Sequence, residues 1–506
     1  MTSRPTKRAL ASLTIAAALL LGGCAGSGGS GTTGDTGGET GGDRIRVAFM
    51  QPPKAAMNPF SDDAFKLSRL SAAETLVRLD ENIQPQPLLA TGWERVDDLT
   101  WVFTLRDDVV FHDGTPFDAA AVKNTLDRAG ESGLSPRALS GIHLTVEVTA
   151  GDEVTVVTDV ADAMLPNRLA SPQLSILSAA AYGDDGTVTP LGTGTGPFEI
   201  TAIEGSTTMT LERFDDYWGD KAIASGIDAS FVPDGTARAA ALRSSEADVA
   251  ETIPVSQISL LDPDMVHEVF MPRTTHLALN TASGPFSDPA VRAAARAAID
   301  ATQIADTVYE GHADPAVGIL GPAVPWAADK RGDTTSPVQP ADVHGVEITL
   351  ATYTDRAENP EIAVQIEAQL EAAGFVVTQD VREYAHLEQD MLGGAFDAVI
   401  VSRNTMLDTG DPLSAIMQDF SCDGGNNIAQ LCDPEIDRIL KDGLQYEPGA
   451  EREDATMAAE TAILRLNATI PLVHERVVQG ELGTFTGFAR DPLERTLITQ
   501  YTEPTG

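Results

Sequence analysis

The sequence predicts an α/β protein built from at least two packed lobes, and two observations carry that prediction. The chain is 506 residues long, more than one hydrophobic core can serve. Strand-like and helix-like segments alternate along most of it, the pattern that packs helices against sheets. Hydrophobic residues make up 42% of the chain, enough to fill such cores.

The N-terminal segment reads as a leader. Arg4, Lys7 and Arg8 form a basic n-region and residues 9–21 an apolar h-region, too short to span a bilayer. Leu21-Gly22-Gly23-Cys24 resembles a bacterial lipobox. On that reading residues 1–23 are a lipoprotein signal peptide and Cys24 is the lipidated first residue; an ordinary secretory signal is the alternative. Residues 24–43, rich in Gly, Ser and Thr, form a flexible tether that can bury nothing.

Past the tether the elements follow in order. Residues 44–49 alternate in period two, and residues 100–105 form a second short strand. Asp118 caps a helix over 119–126 with Val122 and Leu126 on one face. Asp288-Pro289 opens another in the same manner, running through Val291, Ala295 and Ile299. Residues 346–401 are the clearest α/β run. They read as a strand at 346–353, Asn359-Pro360 as cap and first residue of a helix, Ile362, Ile366 and Leu370 as its buried stripe, and Gly374 as its stop. Strands at 375–381 and 396–402 follow. In open α/β sheets ligands bind beyond the carboxyl ends of the strands, so the loops after these strands are the first place to look for a site. Gly192-Thr193-Gly194-Thr195-Gly196 looks like a dinucleotide loop, but a strand-like segment, Pro197-Phe198-Glu199-Ile200, follows it where a helix is required.

Charge and composition narrow the function. With 75 acidic against 34 basic residues the net charge is −41, and removing the basic leader makes it more negative. Such a surface repels phosphate backbones and anionic headgroups, so nucleic acid is not an expected partner. Dispersed acids also keep an exported chain soluble, and a polycationic ligand is the minor reading. The eight histidines show no metal-ligand spacing, and neither a P-loop nor a Gly-x-Ser-x-Gly elbow is present. No metal, no cofactor and no catalytic residue is therefore expected. Cys422 and Cys432 remain once Cys24 is set aside, and an oxidising compartment makes a disulfide between them the default.

A family resemblance enters with residues 84–128. Pro87-Leu88-Leu89-Ala90-Thr91-Gly92-Trp93-Glu94, Trp101-Val102-Phe103-Thr104-Leu105-Arg106 and Phe111-His112-Asp113-Gly114-Thr115-Pro116-Phe117 closely resemble the signature of bacterial extracellular solute-binding proteins of family 5, the peptide and nickel binders. Gly194-Thr195-Gly196-Pro197-Phe198, Phe214-Asp215-Asp216-Tyr217-Trp218 and Pro285-Phe286-Ser287-Asp288 resemble its later landmarks. Phe214-Asp215 departs from the Asn-Pro usual there. From the residues themselves, Trp93, Trp101 and Phe103 read as core and His112-Asp113-Gly114 as a turn.

The resemblance implies a two-lobe periplasmic-binding-protein fold (type II, cluster C) with an extra subdomain and a hinge. Lobe I would comprise 44–75, 185–278 and 473–506, the inserted subdomain 76–184, and lobe II 279–472. It also implies ligand contacts. Met406-Leu407-Asp408-Thr409-Gly410-Asp411-Pro412 resembles the loop where dipeptide-binding members meet the ligand's ammonium with an aspartate, here Asp408. Arg356 matches the arginine that holds the ligand's carboxylate, and the cysteine pair matches a disulfide of those members. Leu413 stands where metallophore binders carry histidine. Arg356 also follows a strand and precedes a helix N-terminus, where guanidinium and free N–H groups both favour an anion. A capped turn at Asp408 and a surface pair of Arg356 with Asp355 or Glu358 are the bland alternatives.

The expected role is that of the extracytoplasmic binding component of an ABC importer. It would be a monomer anchored by lipid to the outer face of the cytoplasmic membrane or in the periplasm, taking a dipeptide or oligopeptide and passing it to permease subunits. Binding of a nickel complex, sugar or amine, a sensory receptor, and an extracellular peptidase are the competing readings.

Overall fold

The computed structural model describes residues 43–80, 83–150 and 152–506. The leader, Cys24 and nearly all of the tether lie outside the described residues. Among those described, no helix is long and apolar enough to cross a membrane.

An eleven-stranded mixed sheet forms the frame. Across it run Val376–Arg382, Glu347–Tyr353, Ala398–Asn404, Val266–Leu279, Thr469–Glu481, Val249–Ala250, Arg44–Phe49, Gly226–Phe231, Thr208–Arg213 and Phe198–Glu204, with Ala313–Pro315 paired to Thr469–Glu481. Each end is parallel in part: Arg44–Phe49 pairs in parallel with Gly226–Phe231 and Val249–Ala250, and Glu347–Tyr353 with Val376–Arg382 and Ala398–Asn404. Two long antiparallel strands, Val266–Leu279 and Thr469–Glu481, join the ends. Their register shifts between Phe270 and Thr274, around Pro272, which has no N–H to give to a ladder.

A separate four-stranded antiparallel sheet, in the order Ala90–Arg95, Thr100–Leu105, Glu153–Thr158, Leu144–Ala150, comes from the inserted segment. Helix Ala119–Glu131 buries Val122 and Leu126, and Asp118 caps it by accepting from the Ala121 N–H. One large apolar cluster runs from this sheet into the Arg44–Phe49 end and takes in Phe485, Phe488, Leu497 and Ile498 from the C-terminal segment. Two clusters cover the opposite faces of the Glu347–Tyr353 end, centred on Leu413, Ile416 and Ile463 and on Ile362, Ile366 and Leu370.

The elements read from sequence are present, with corrections at their ends. Strands Arg44–Phe49 and Thr100–Leu105 fall where the alternation put them. Helix Pro289–Ala298 has Asp288 as its cap, but Ile299 lies past its last residue. Helix Glu358–Ala373 begins earlier than the Asn359 cap implied, because the chain is already turning at Ala357; Asn359 is instead a buried residue of the first turn. Gly374 ends that helix in a left-handed conformation, as read. The strands placed at 375–381 and 396–402 are Val376–Arg382 and Ala398–Asn404, displaced by one or two residues because Phe375 and Phe396 are drawn into the cores before pairing starts.

The quoted motifs turn out to be joints of the frame. Phe103 and Trp101 are buried, and Trp93 packs on Phe103. The Asp113-Gly114 turn docks on the glycine loop: the His112 N–H donates to the Gly194 carbonyl at 2.9 Å, and its Nε2 donates to the Gly196 carbonyl at 2.9 Å. A Cβ at Gly194 would lie 2.2 Å from the Ala72 carbonyl oxygen and one at Gly196 2.0 Å from that of Ser71, so only glycine permits this approach. Phe214 presents its ring against His112 at 4.8 Å, a packing role for the departure noted there. Buried Glu74 accepts from Tyr217 Oη at 2.9 Å and Trp218 Nε1 at 3.0 Å.

Candidate functional site

Between the two ends of the main sheet lies a cavity of about 200 Å³. One wall is formed by the segment after Arg44–Phe49, including Lys54, Asp62 and Arg69; the other comes from the loops after Glu347–Tyr353 and Ala398–Asn404. Both Arg356 and Asp408 line it. The loops singled out from strand order are therefore brought together, and neither residue faces outward from the molecule.

Arg356 sits between its strand and the N-terminus of helix Glu358–Ala373. Its guanidinium pairs with neither sequence neighbour: Nη1 lies 2.7 Å from Glu475 Oε2, a carboxylate from the joining strand Thr469–Glu481. Glu475 is nearly fully buried, and its other oxygen accepts from Thr275 Oγ1 at 2.5 Å and from Ser402 Oγ. Asp355 accepts from the Tyr384 N–H, and Glu358 from the Val255 N–H. Beside Arg356, Arg273 Nη2 contacts Glu494 Oε2 at 2.6 Å. Burial by itself would raise the Glu494 carboxyl, but Arg273, Arg69 and Arg356 together hold it below the usual carboxylate range. This wall thus presents arginines, each backed by a buried acid.

Asp408 is carried on a loop that is fixed at three points. Asp411 caps helix Pro412–Phe420 through the Ser414 N–H and forms a buried pair with Arg452 at 2.5 Å. Gly410 has φ +70, and a Cβ there would meet Ile83 at 2.5 Å and Leu79 at 2.6 Å. Arg495, from the C-terminal segment, donates to the carbonyls of Leu407 at 3.0 Å, Asp408 at 3.1 Å and Ala170 at 2.9 Å. Burial lowers the Arg495 guanidinium to about 10. The Asp408 carboxylate itself receives Arg137 Nε, at 3.1 and 3.0 Å from its two oxygens. Arg137 Nη1 reaches Asp62 Oδ1 at 2.6 Å, so one arginine sits between two carboxylates.

At the mouth Lys54 extends its ammonium over the Tyr384 ring, 4.4 Å from the centroid, a contact between the two walls. Among the described residues no carboxylate lies within ion-pair distance of it. Cys422 and Cys432 follow helix Pro412–Phe420, with their Sγ atoms 2.12 Å apart. No group of three or more potential metal ligands occurs among the described residues.

Sequence reasoning missed Glu475, Arg137, Asp62 and Lys54. Arg137 lies in a short turn of the inserted segment, after Ser135-Pro136, with nothing in its local pattern to mark it. Glu475 lies in a strand that is buried along most of its length, beside His474 and Arg476, and its apolar start at residues 470–473 is the local sign that the carboxylate following it would be drawn inside.

Residues 84–427 match the family described as bacterial extracellular solute-binding proteins, family 5. The chain belongs to that family. Among curated relatives of this solute-binding protein, the glutathione-binding protein GsiB of Escherichia coli (strain K12) is 27% identical over 441 residues, covering 82% of this chain and 85% of its own. Among solved structures, NikA from Staphylococcus aureus in complex with Ni(L-His)2 superposes with a TM-score of 0.80 at 22% identity, over 92% of this chain and 100% of NikA. The dipeptide-binding protein of Pseudoalteromonas sp. SM9913 in complex with Met-Leu gives a TM-score of 0.80 at 21% identity, over 91% and 100%. These superpositions establish the mixed α/β periplasmic-binding fold expected from sequence.

Proposed function

We propose that this chain captures a small peptide-like zwitterion between the two ends of its sheet and delivers it to the permease of an ABC importer, without chemical turnover. The observation that carries the reading is that Asp408 and Arg356 line one cavity. The ammonium end finds two carboxylates against one arginine, a net charge of one negative. The carboxylate end finds Arg356 and Arg273, with Lys54 at the mouth. Charge-assisted hydrogen bonds at each terminus contribute on the order of 1.5 to 3 kcal/mol. The two joining strands, irregular at Pro272, supply a hinge about which the walls close. The domain limits drawn from sequence, attachment through Cys24 after cleavage of residues 1–23, and a monomeric state complete the proposal. Glutathione, named for the GsiB relative, falls in the same ligand class.

Calorimetry with dipeptides tests it. Asp408→Ala is expected to weaken binding by about 2 to 5 kcal/mol, as for a buried charge partner. Unchanged affinity removes Asp408 from the site. New fragments on incubation with a peptide mixture would point to a peptidase instead.

A further inference from the structure

The Arg137–Asp408 pair has a second cavity behind it. This chamber, of about 250 Å³, lies between the inserted segment and the helix that follows Asp411. Ile142, Val160, Met417 and Leu444 give it an apolar part, and Thr409 and Gln445 a polar one. Arg137 and Asp408 are the residues it shares with the ligand cavity of about 200 Å³, so the ion pair is the partition between the two.

The partition is held from both sides. Arg137 is gripped by Asp408 at 3.0 Å and by Asp62 at 2.6 Å, while its side chain keeps 24% exposure, as expected of a group standing between two open spaces. The Asp408 backbone is in turn pinned by Arg495. Removing the arginine's bulk would join the chambers and more than double the volume of space continuous with the ammonium end.

We propose that Arg137 sets the length of the bound ligand: its side chain ends the cleft beside Asp408, and a longer solute is accommodated only when that side chain is absent. This rests on the peptide reading of the cleft. It makes Arg137 a specificity-determining residue, acting by bulk more than by charge.

The test is competition among di-, tri-, tetra- and penta-alanine for the wild type and variants, with retained peptide read by native mass spectrometry. Wild type and Arg137→Met, which keeps the bulk and drops the charge, are expected to show the same length profile. In Arg137→Ala the ratio of long to short peptide retained is expected to rise on the order of tenfold, the effect of burying one further side chain. Arg137→Ala with Ala415→Phe, which refills the second chamber, is expected to revert. Ala415→Phe alone leaves the partition standing and is expected to leave the profile unchanged, which keeps the test open if Arg137→Ala does not fold. The inference is overturned if Arg137→Ala retains what wild type retains, including no peptide at all, if Arg137→Met shifts as far as Arg137→Ala, or if Ala415→Phe alone shifts the profile. A wild type that binds dipeptides alongside an unshifted Arg137→Ala defeats the length inference only. A wild type that retains no peptide defeats the peptide reading.

Discussion

Two roles of Arg356 can be separated. It lines the cavity proposed for the ligand, and it also neutralises Glu475, whose side chain is 4% exposed. Removing one partner of a buried pair strands the other charge, at a cost of roughly 3 to 5 kcal/mol. Arg356→Gln is therefore expected to lower both folding stability and ligand affinity. Arg356→Gln combined with Glu475→Gln is expected to recover most of the stability and none of the affinity; denaturant melts and calorimetry on the same three proteins read the two effects apart. Recovery of both would mean that Arg356 acts only by propping up Glu475. For Asp408 and Arg356 the sequence told where to look, because each follows a strand in an α/β run and each matches a family motif. It was silent on their partners. Glu475 is more than a hundred residues from Arg356, and Arg137 some 271 residues from Asp408, so no local spacing joins them.

At the scale of elements, the sequence was most legible where a single residue type performs a local task. Asp118, Asp288 and Gly374 end their helices as read, since a cap or a left-handed stop needs only its own neighbours. It was less legible where tertiary packing decides, as at Asn359 and Ile299. The motif residues belong to this scale. Gly196→Ala is expected to disrupt the contact of the glycine loop with residues 71 and 72, giving a marked drop in melting temperature with far less change in the ligand affinity of the protein that remains folded. An unaltered melt would show that the backbone there relaxes freely. The short loop closed by Cys422 and Cys432, of sequence separation 10, constrains the denatured chain. Reduction is expected to cost roughly 2 to 3 kcal/mol by the chain-entropy account, measurable as a lower urea midpoint in the presence of a reductant.

For the whole molecule the distinctive titration is that of its buried histidines. Burial holds His112 and His474 down at about 4 and His276 at about 3, against an ordinary 6.5. Below pH 6.5 the unfolded chain takes up protons that the folded one refuses, so these groups contribute stability above that pH and lose it as pH falls toward 4. Each contributes on the order of 3 to 5 kcal/mol over its full interval. Buried Glu74, pushed upward mainly by burial, works in the opposite sense, favouring the folded state when protonated. Melting temperature is thus expected to fall steeply from pH 6.5 to pH 4.5, and His276→Gln to flatten part of that slope; an identical slope would place the acid sensitivity elsewhere. The C-terminal segment ties these scales together. Leu497 and Ile498 donate their N–H groups to the Arg69 carbonyl, and Arg495 grips the backbone that bears Asp408. A chain without Arg495 would keep the Asp411–Arg452 pair and the seat of Gly410 but lose a clasp that ties the Asp408 loop to the Ala170 carbonyl, so the tail tunes how firmly that carboxylate is presented to the cleft.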